Sequence, residues 1–283
     1  MDLPKRSRAP SLFLCHGAGP FPLVTPEWEP FRKLLFTYSN KLDNAKGIVF
    51  LSAHWETNEP HITASDNPGI WYDYADVEPE NEALHPAGSN EVQYPVTGDA
   101  ELSKRVAIHL RSHGFDPVLD YKRGFDHGVY VVMKPMRPEA DIPIVQISVL
   151  SGSDEQEAME RNLRLGRALE PLRDAGYAII GSGGSYHDFK SIASAMMEGS
   201  PISPDAWDFE EFLNSVAVVA DADEREKRIR GWREIPSSYI AQVKDEAEHF
   251  WPFLIASGAG GNNKGVRLGL MNGPGGPMSF FEW

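Results

Sequence analysis

The chain has 283 residues, of which 41% are hydrophobic and 24% are charged, as expected of a globular protein able to bury a full core. Its formal net charge of -14 at pH 7 argues against a protein built to neutralise nucleic-acid phosphates. The single cysteine, Cys15, excludes an internal disulfide framework and a multi-thiolate metal site, and it fits a reducing compartment. No apolar run approaches the roughly 20 residues of a transmembrane helix, so we expect a cytoplasmic protein without nucleic-acid or membrane partners.

Short apolar runs alternate with amphipathic segments in the first half of the chain. Runs that are rich in β-branched residues and bounded by turn residues are typical of buried strands. They predict strands over 11–15, 47–53 and 60–65, and the amphipathic segments predict helices over 27–43 and 100–113. Asp99 is expected to cap the second of these helices. Its predicted core positions are Leu102, Val106, Ile108 and Leu110.

Residues 66–96 have no clear periodicity and contain an acidic, proline-containing stretch. Irregular segments of this length in compact domains are usually functional or disordered. The aromatic cluster at its start, Trp71–Tyr74, favours a substrate lid over a plain surface insertion.

The second half of the chain continues the alternation. Strands are predicted over 115–119, 143–150 and 177–181, with an apolar run over 129–133 and a long helix over 154–176. The last third is predicted to hold helices over 205–220, 222–233 and near 238–257, a glycine-rich loop over 258–276, and an aromatic end held in place over 278–283. Strands alternating with helices predict an α/β fold, in one domain over 1–283, with a mostly parallel or mixed central sheet flanked by helices.

Five of the nine histidines lie at strand ends, in glycine-flanked turns or beside a carboxylate: His16, His54, His127, His187 and His249. Functional groups gather just past the carboxyl ends of parallel strands, and carboxylates commonly orient liganding imidazoles. The sequence therefore predicts a metal site at this edge of the sheet, with further histidines free for acid–base chemistry. No role is assigned to the other four, of which His61 is expected in the core and His85, His109 and His113 are expected in solvated positions.

Several common catalytic motifs are absent. There is no His-Glu-x-x-His and no Gly-x-Ser-x-Gly, which argues against a zincin and against an α/β-hydrolase serine nucleophile. The loop Gly181–Ser185 lacks both the P-loop ending and the dinucleotide spacing. These observations leave the reaction at the metal site open.

A set of longer motifs, distributed along nearly the whole chain, carries a family resemblance. The most specific are Ser-Ala-His-Trp-Glu-Thr at 52–57 and Phe-Asp-His-Gly at 125–128. The others lie at 12–17, 71–74, 94–98, 138–146, 181–187 and 248–253, with Gly258 and Ala259. With these motifs the chain resembles the LigB-like class III extradiol ring-cleavage dioxygenases, and among them the 4,5-DOPA dioxygenase-like group.

The resemblance implies an oxidoreductase that inserts both atoms of O2 into a substituted, DOPA-like catechol and gives a muconic semialdehyde. It implies one Fe(II) or Zn(II) ion per chain, held by His16, His54 and His249, with Glu248 as a substitute ligand or a partner of His249. His187 would be the acid–base residue, and His127 would contact substrate or oxygen.

Two other functions are compatible with the same site. A zinc-dependent hydrolase or lyase would use metal-bound hydroxide as its nucleophile. A metal-containing binding protein would hold a partner through its aromatic loop 71–74. The oligomeric state is open.

Overall fold

The computed structural model describes residues 8–74 and 86–283. The strands in this part of the chain are β1 (Ser11–Cys15), β2 (Gly47–Thr57), β3 (His61–Thr63), β4 (Val118–Asp120), β5 (Ile144–Leu150), β6 (Tyr177–Gly183), β7 (Val266–Gly273) and β8 (Gly276–Glu282). The helices are α1 (Phe21–Val24), α2 (Glu29–Phe36), α3 (Ala100–Ser112), α4 (His127–Met136), α5 (Glu155–Asp174), α6 (Phe189–Glu198), α7 (Ala206–Ala217), α8 (Ala222–Arg230), α9 (Ser238–Ala241) and α10 (Trp251–Ala259).

All eight strands belong to one mixed sheet in the order β4-β3-β5-β2-β6-β1-β8-β7. The four central strands, β5, β2, β6 and β1, are parallel to one another. Their buried, apolar sequences suit strands that are covered on both faces. The strands β3 and β8 pair antiparallel with this centre. The predicted α/β fold in one domain with a mostly parallel or mixed sheet is therefore confirmed.

The alternation of side chains along β6 shows how helices cover the two faces of the sheet. A Cβ on Gly181 would meet the backbone of Pro252 in α10 at 2.2 Å. The next side chain, Ser182, donates a hydrogen bond from its hydroxyl to the carbonyl of Gly128 in α4 at 2.8 Å. Because successive side chains of a strand point to opposite faces, α10 and α4 lie on opposite sides of the sheet.

The predicted strands and helices of the first two hundred residues are largely present. Asp99 caps α3 by accepting a hydrogen bond from the amide of Leu102 at 2.7 Å, as expected. The prediction that Ile108 belongs to the core is wrong, since its side chain is 65% exposed. The apolar run at 129–133 forms the middle of α4, and the short helix α6 was not predicted.

Two predictions for the C-terminal region are wrong. The glycine-rich stretch 258–276 is not a loop throughout, because it contains β7 and the turn into β8. The expected helix near 238–257 is divided into α9 and α10 by residues 242–250, and Pro252 lies in the first turn of α10. Proline is favoured at that position of a helix and would break a helix interior. The aromatic end is held in place by β8, as expected.

Trp71–Tyr74, the start of the expected lid, is described, but residues 75–85, including His85, lie outside the described residues. Within 8–74 and 86–283, no helix has both the length and the apolar character that a bilayer span requires.

Candidate metal centre

Three imidazoles converge at the carboxyl edge of the central strands. The Nε2 atom of His54 lies 3.0 Å from Nε2 of His16 and 3.3 Å from Nε2 of His249. His16 immediately follows β1, and His249 precedes α10. Two ligands on one ion at about 2.1 Å would lie roughly 3.0–3.4 Å apart, so these separations fit a shared metal ion.

A bulge in β2 brings His54 to this cluster. Ser52 pairs with Ser148 of β5, and the next pair is Glu56 with Val149, so residues 53–55 have no counterpart on β5. Bulges of this kind change the direction of side chains and are common beside active sites. Arg123 donates a hydrogen bond to the carbonyl of His54 at 3.0 Å, which fixes the bulged backbone.

Hydrogen bonds at Nδ1 set the tautomers of the other two imidazoles. The Ser182 hydroxyl donates to the carbonyl of Gly128, so it accepts from Nδ1 of His16, which lies 2.9 Å away. Nδ1 of His249 lies 2.8 Å from Oε1 of Glu248, and a carboxylate only accepts. Both Nε2 atoms therefore carry lone pairs directed into the cluster. A cation bound at Nε2 of His54 would therefore lie within reach of both lone pairs.

The electrostatics of the cluster favour the neutral imidazoles that a metal requires. Burial lowers the pKa of His16 and of His54 well below the ordinary value, and neighbouring imidazoles lower both further. Burial and the nearby His127 lower the pKa of His249 to about 3. At pH 7 these three imidazoles are therefore neutral.

His127, the first residue of α4, is held by Asp73. Nδ1 of His127 lies 2.9 and 2.8 Å from the two carboxylate oxygens, and its backbone amide donates to Oδ1 at 3.0 Å. Burial alone would raise the pKa of Asp73, but the charge and hydrogen bonds of His127 outweigh it and lower this pKa to about 2. The resulting carboxylate also lies at the positive end of the α4 dipole.

His187 stacks on His249, with ring centroids 3.5 Å apart and planes 11° apart. Its Nδ1 atom has no hydrogen-bond partner among the described residues, and Oε1 of Glu248 lies 3.8 Å away. Burial, and then His249, lower the pKa of His187 to about 3. His187 is thus a neutral imidazole beside a carboxylate.

A cavity of about 210 Å³ adjoins all five imidazoles. The helix α6 and the turns after β1 and before β8 contribute its apolar wall. The lining side chains include Phe21, Trp28, Tyr74, Tyr186, Phe189, Ile192, Pro277 and Met278. An apolar pocket with a few convergent polar groups is the usual form of a small-molecule site.

The structure brings together all five histidines that the sequence singled out. Two sets of side chains have ligand atoms within 4.8 Å of one another, namely His16, His54 and His127, and His187, Glu248 and His249. The remaining described histidines lie elsewhere: Nε2 of His109 contacts the carbonyl of Ala168 at 2.6 Å, and its neighbour His113 is exposed. His61 is only partly buried, against Trp55.

Two partners in this site were missed by sequence reasoning. Asp73 lies in the aromatic segment 71–74, and it precedes His127 by 54 positions in the sequence. Ser182 lies inside a strand, and nothing in its local sequence marks it. A carboxylate within an aromatic motif was the one available signal.

The model of the family described as the catalytic LigB subunit of aromatic ring-opening dioxygenase matches residues 25–272. The chain belongs to the LigB family. Members of this family are metal-dependent, and the buried histidine cluster of this chain could bind a metal.

Two relatives agree with this family, and a solved structure shares the fold. Dioxygenase tasH of Hapsidospora irregularis is 33% identical over 92% of this chain and 80% of the relative. The 4,5-DOPA dioxygenase extradiol of Portulaca grandiflora is 33% identical over 91% of this chain and 89% of the relative. The crystal structure of an uncharacterized Escherichia coli K12 protein shares the fold, with a TM-score of 0.74 at 24% identity over 97% of this chain and 99% of that one. The family and the relatives' names support an oxygenase.

Proposed function

We propose that this LigB-family chain is an extradiol dioxygenase that adds both atoms of O2 to a substituted catechol, the class that includes DOPA, and opens the ring to a muconic semialdehyde. The whole chain, 1–283, would form one cytoplasmic catalytic domain. The observation that carries the proposal is the group of three Nε2 atoms, 3.0 and 3.3 Å apart, beside an apolar cavity.

In this proposal His16, His54 and His249 hold one Fe(II) or Zn(II) ion. Imidazole suits both metals, so the ligand type does not choose between them. A bound Fe(II) ion would supply the electron transfer between catechol and O2, which zinc cannot because it has no redox chemistry. Glu248 orients His249 by accepting the hydrogen bond from its Nδ1 at 2.8 Å.

His187 would be the general base and then the general acid. It lines the cavity, so its ring can accept a proton from the phenol of a bound catechol. Glu248, whose Oε1 lies 3.8 Å from Nδ1 of His187, would stabilise the imidazolium that forms. The same ring can return the proton later in the reaction.

His127 would contact the substrate or O2. Asp73 accepts the Nδ1 proton of His127 and so orients the ring, which leaves its Nε2 atom for a ligand in the cavity. His127 and His187 would thus flank the metal ligands and move or donate protons where the ring oxygens lie.

The test is to load the protein with Fe(II) anaerobically and to measure O2 uptake and yellow product over a panel of catechols. We expect His249→Ala to lose bound metal, and His187→Ala to retain metal while kcat falls by roughly 10²- to 10⁴-fold, the usual contribution of a general acid–base group. His113→Ala, at an exposed histidine outside the site, is the control and should match the unmodified protein.

Absence of O2 uptake with every catechol would contradict the proposal. Activity of the zinc-loaded protein without O2 would favour the hydrolase or lyase. Normal activity of His187→Ala would remove that residue from the mechanism.

A further inference from the structure

Beyond the imidazoles, the described part of the cavity wall carries no ionised side chain. Among the described residues that line it there is no lysine, arginine, aspartate or glutamate. The five imidazoles contact one another, with neighbouring ring centroids 3.5 to 5.3 Å apart, so they form one polar patch. The rest of the wall is aromatic, aliphatic or glycine, and a substituent on the substrate ring would lie against it.

The carboxylates nearest to this cavity are already engaged. Asp73 accepts hydrogen bonds from the backbone amide and from Nδ1 of His127, and Glu248 accepts one from Nδ1 of His249. Asp188, which follows His187, accepts from the amides of Lys190 and Ser191 at the start of α6. None of these three residues lines the cavity, where a counter-charge for an ammonium group would have to lie.

Within 8–74 and 86–283, no lysine or arginine lines the cavity as a partner for a carboxylate either. Lys190, the basic residue closest in sequence to the cavity wall, is exposed and does not line it.

The side chain of a catecholic amino acid carries both charges at pH 7, because an α-carboxyl group ionises near pH 3.5 and an α-amino group near pH 8. Moving an ionised group from water to an apolar wall without a partner is strongly unfavourable. An uncharged alkyl or aryl substituent would instead gain from burial against Phe21, Ile192 and Met278.

We infer that the preferred substrate is a catechol with an uncharged, apolar substituent, rather than one with the charged side chain of an amino acid or an arylalkanoic acid. This inference rests on the proposed ring-cleaving function and specifies its substrate.

The test compares three catechols that carry the same three-carbon chain, namely 4-propylcatechol, dihydrocaffeate and L-DOPA. With Fe(II)-loaded protein at pH 7, we expect kcat/KM for 4-propylcatechol to exceed that for either charged compound by about 100-fold or more. Anaerobic titration calorimetry on the same loaded protein measures binding separately and should give the same order.

A charge placed on the wall should change this order. Ile192 is partly exposed on α6 and lines the cavity, and a guanidinium group there can pair with a carboxylate in bidentate geometry. We expect Ile192→Arg to reduce the preference for 4-propylcatechol over dihydrocaffeate by at least about 10-fold. Ile192→Met is the matched uncharged control and should keep the preference.

The outcomes separate the inference from the proposed function. Cleavage of L-DOPA or dihydrocaffeate with a kcat/KM equal to or above that of 4-propylcatechol would overturn the inference and leave the function standing. Tighter binding of 4-propylcatechol without cleavage of any catechol would overturn the function and support the preference of the cavity.

Discussion

Glu210 is a fully buried carboxyl group in α7 that the proposed mechanism does not use. Burial raises its pKa to about 7, and the hydroxyls of Ser279 and Ser185 offset part of that effect. Since the ordinary value is 4.5, the folded protein holds this proton more tightly than the unfolded chain does. The stability contributed by the protonated group is fully present below pH 4.5 and is lost as the pH rises towards 7.

Replacing Glu210 with glutamine should remove this pH dependence. We compare the free energy of unfolding of Glu210→Gln with that of the unmodified protein. From pH 5 to pH 8 this difference should change by roughly 2 to 3 kcal/mol in favour of Glu210→Gln, because only the unmodified protein loses stability as Glu210 ionises. Urea denaturation of both proteins at the two pH values measures it, and the comparison cancels the histidines, which both proteins share. A difference in the free energy of unfolding that stays the same at both pH values would contradict the raised pKa of Glu210.

For single residues, the sequence indicated which histidines gather in the candidate site but not which side chains form hydrogen bonds with them. The five histidines could be selected because strand ends and glycine-flanked turns place side chains at a sheet edge. Asp73 and Ser182 act only through contacts with residues 54 and 166 positions away in the chain. Local patterns carry no information about such distant pairs.

The helices α5 and α10 approach so closely that glycine is required between them. A Cβ on Gly166 would lie 2.5 Å from the carbonyl oxygen and 2.9 Å from Cα of Ile255. These are backbone atoms of α10, so a side chain at Gly166 cannot be accommodated by a rotamer change. Because α10 begins two residues after His249, this contact also positions the C-terminal part of the histidine cluster.

Gly166→Ala should therefore destabilise the protein by about 1–3 kcal/mol, the usual cost of overpacking, even though alanine is the better helix former. Thermal or urea denaturation measures the loss. Gly231→Ala makes the same change where the nearest atom lies at 3.5 Å, so its stability should be unchanged or slightly higher. Equal stability of the two variants would show that α10 can move away without cost.

The elements with regular apolar patterns could be predicted, and those shaped by close contacts could not. The strand β5 and the helix α5 agree with the sequence to within two residues at each end. In contrast, β7 is rich in glycine because neighbouring groups come close: a Cβ on Gly269 would meet the hydroxyl of Tyr38 at 2.6 Å. Glycine in a strand often marks such an approach, but in sequence alone it indicates a loop.

Across the whole molecule, Arg173 joins segments from both halves of the chain. Its guanidinium donates to the carbonyls of Ala9, Ala259 and Gly260 at 2.7 to 3.1 Å and also to that of Trp283. The side chain is almost completely buried, at 3% exposure. These carbonyls have a charged donor that no apolar side chain can replace.

The carbonyls of Gly260 and Trp283 also accept from Asn263 and Ser11, so Arg173→Met would take the donor mainly from those of Ala9 and Ala259. It should reduce the free energy of unfolding by about 2–6 kcal/mol, because each buried acceptor left without a donor costs roughly 1–3 kcal/mol. Arg228→Met removes one exposed ion pair within α8 and should change the stability by about 0.5 kcal/mol or less. Denaturant unfolding of the two variants measures the contrast. A loss below about 1 kcal/mol for Arg173→Met would mean that water replaces the guanidinium.

The position of β1 between β6 and β8 has a consequence for biosynthesis. The strand β1 is translated well before both strands that flank it in the sheet, at 177–183 and 276–282. Until β6 has been translated, neither backbone edge of β1 has its partner strand on the nascent chain. The five histidines can come together only after His249 has been translated, and nascent chains should depend on chaperones that shield unpaired strands.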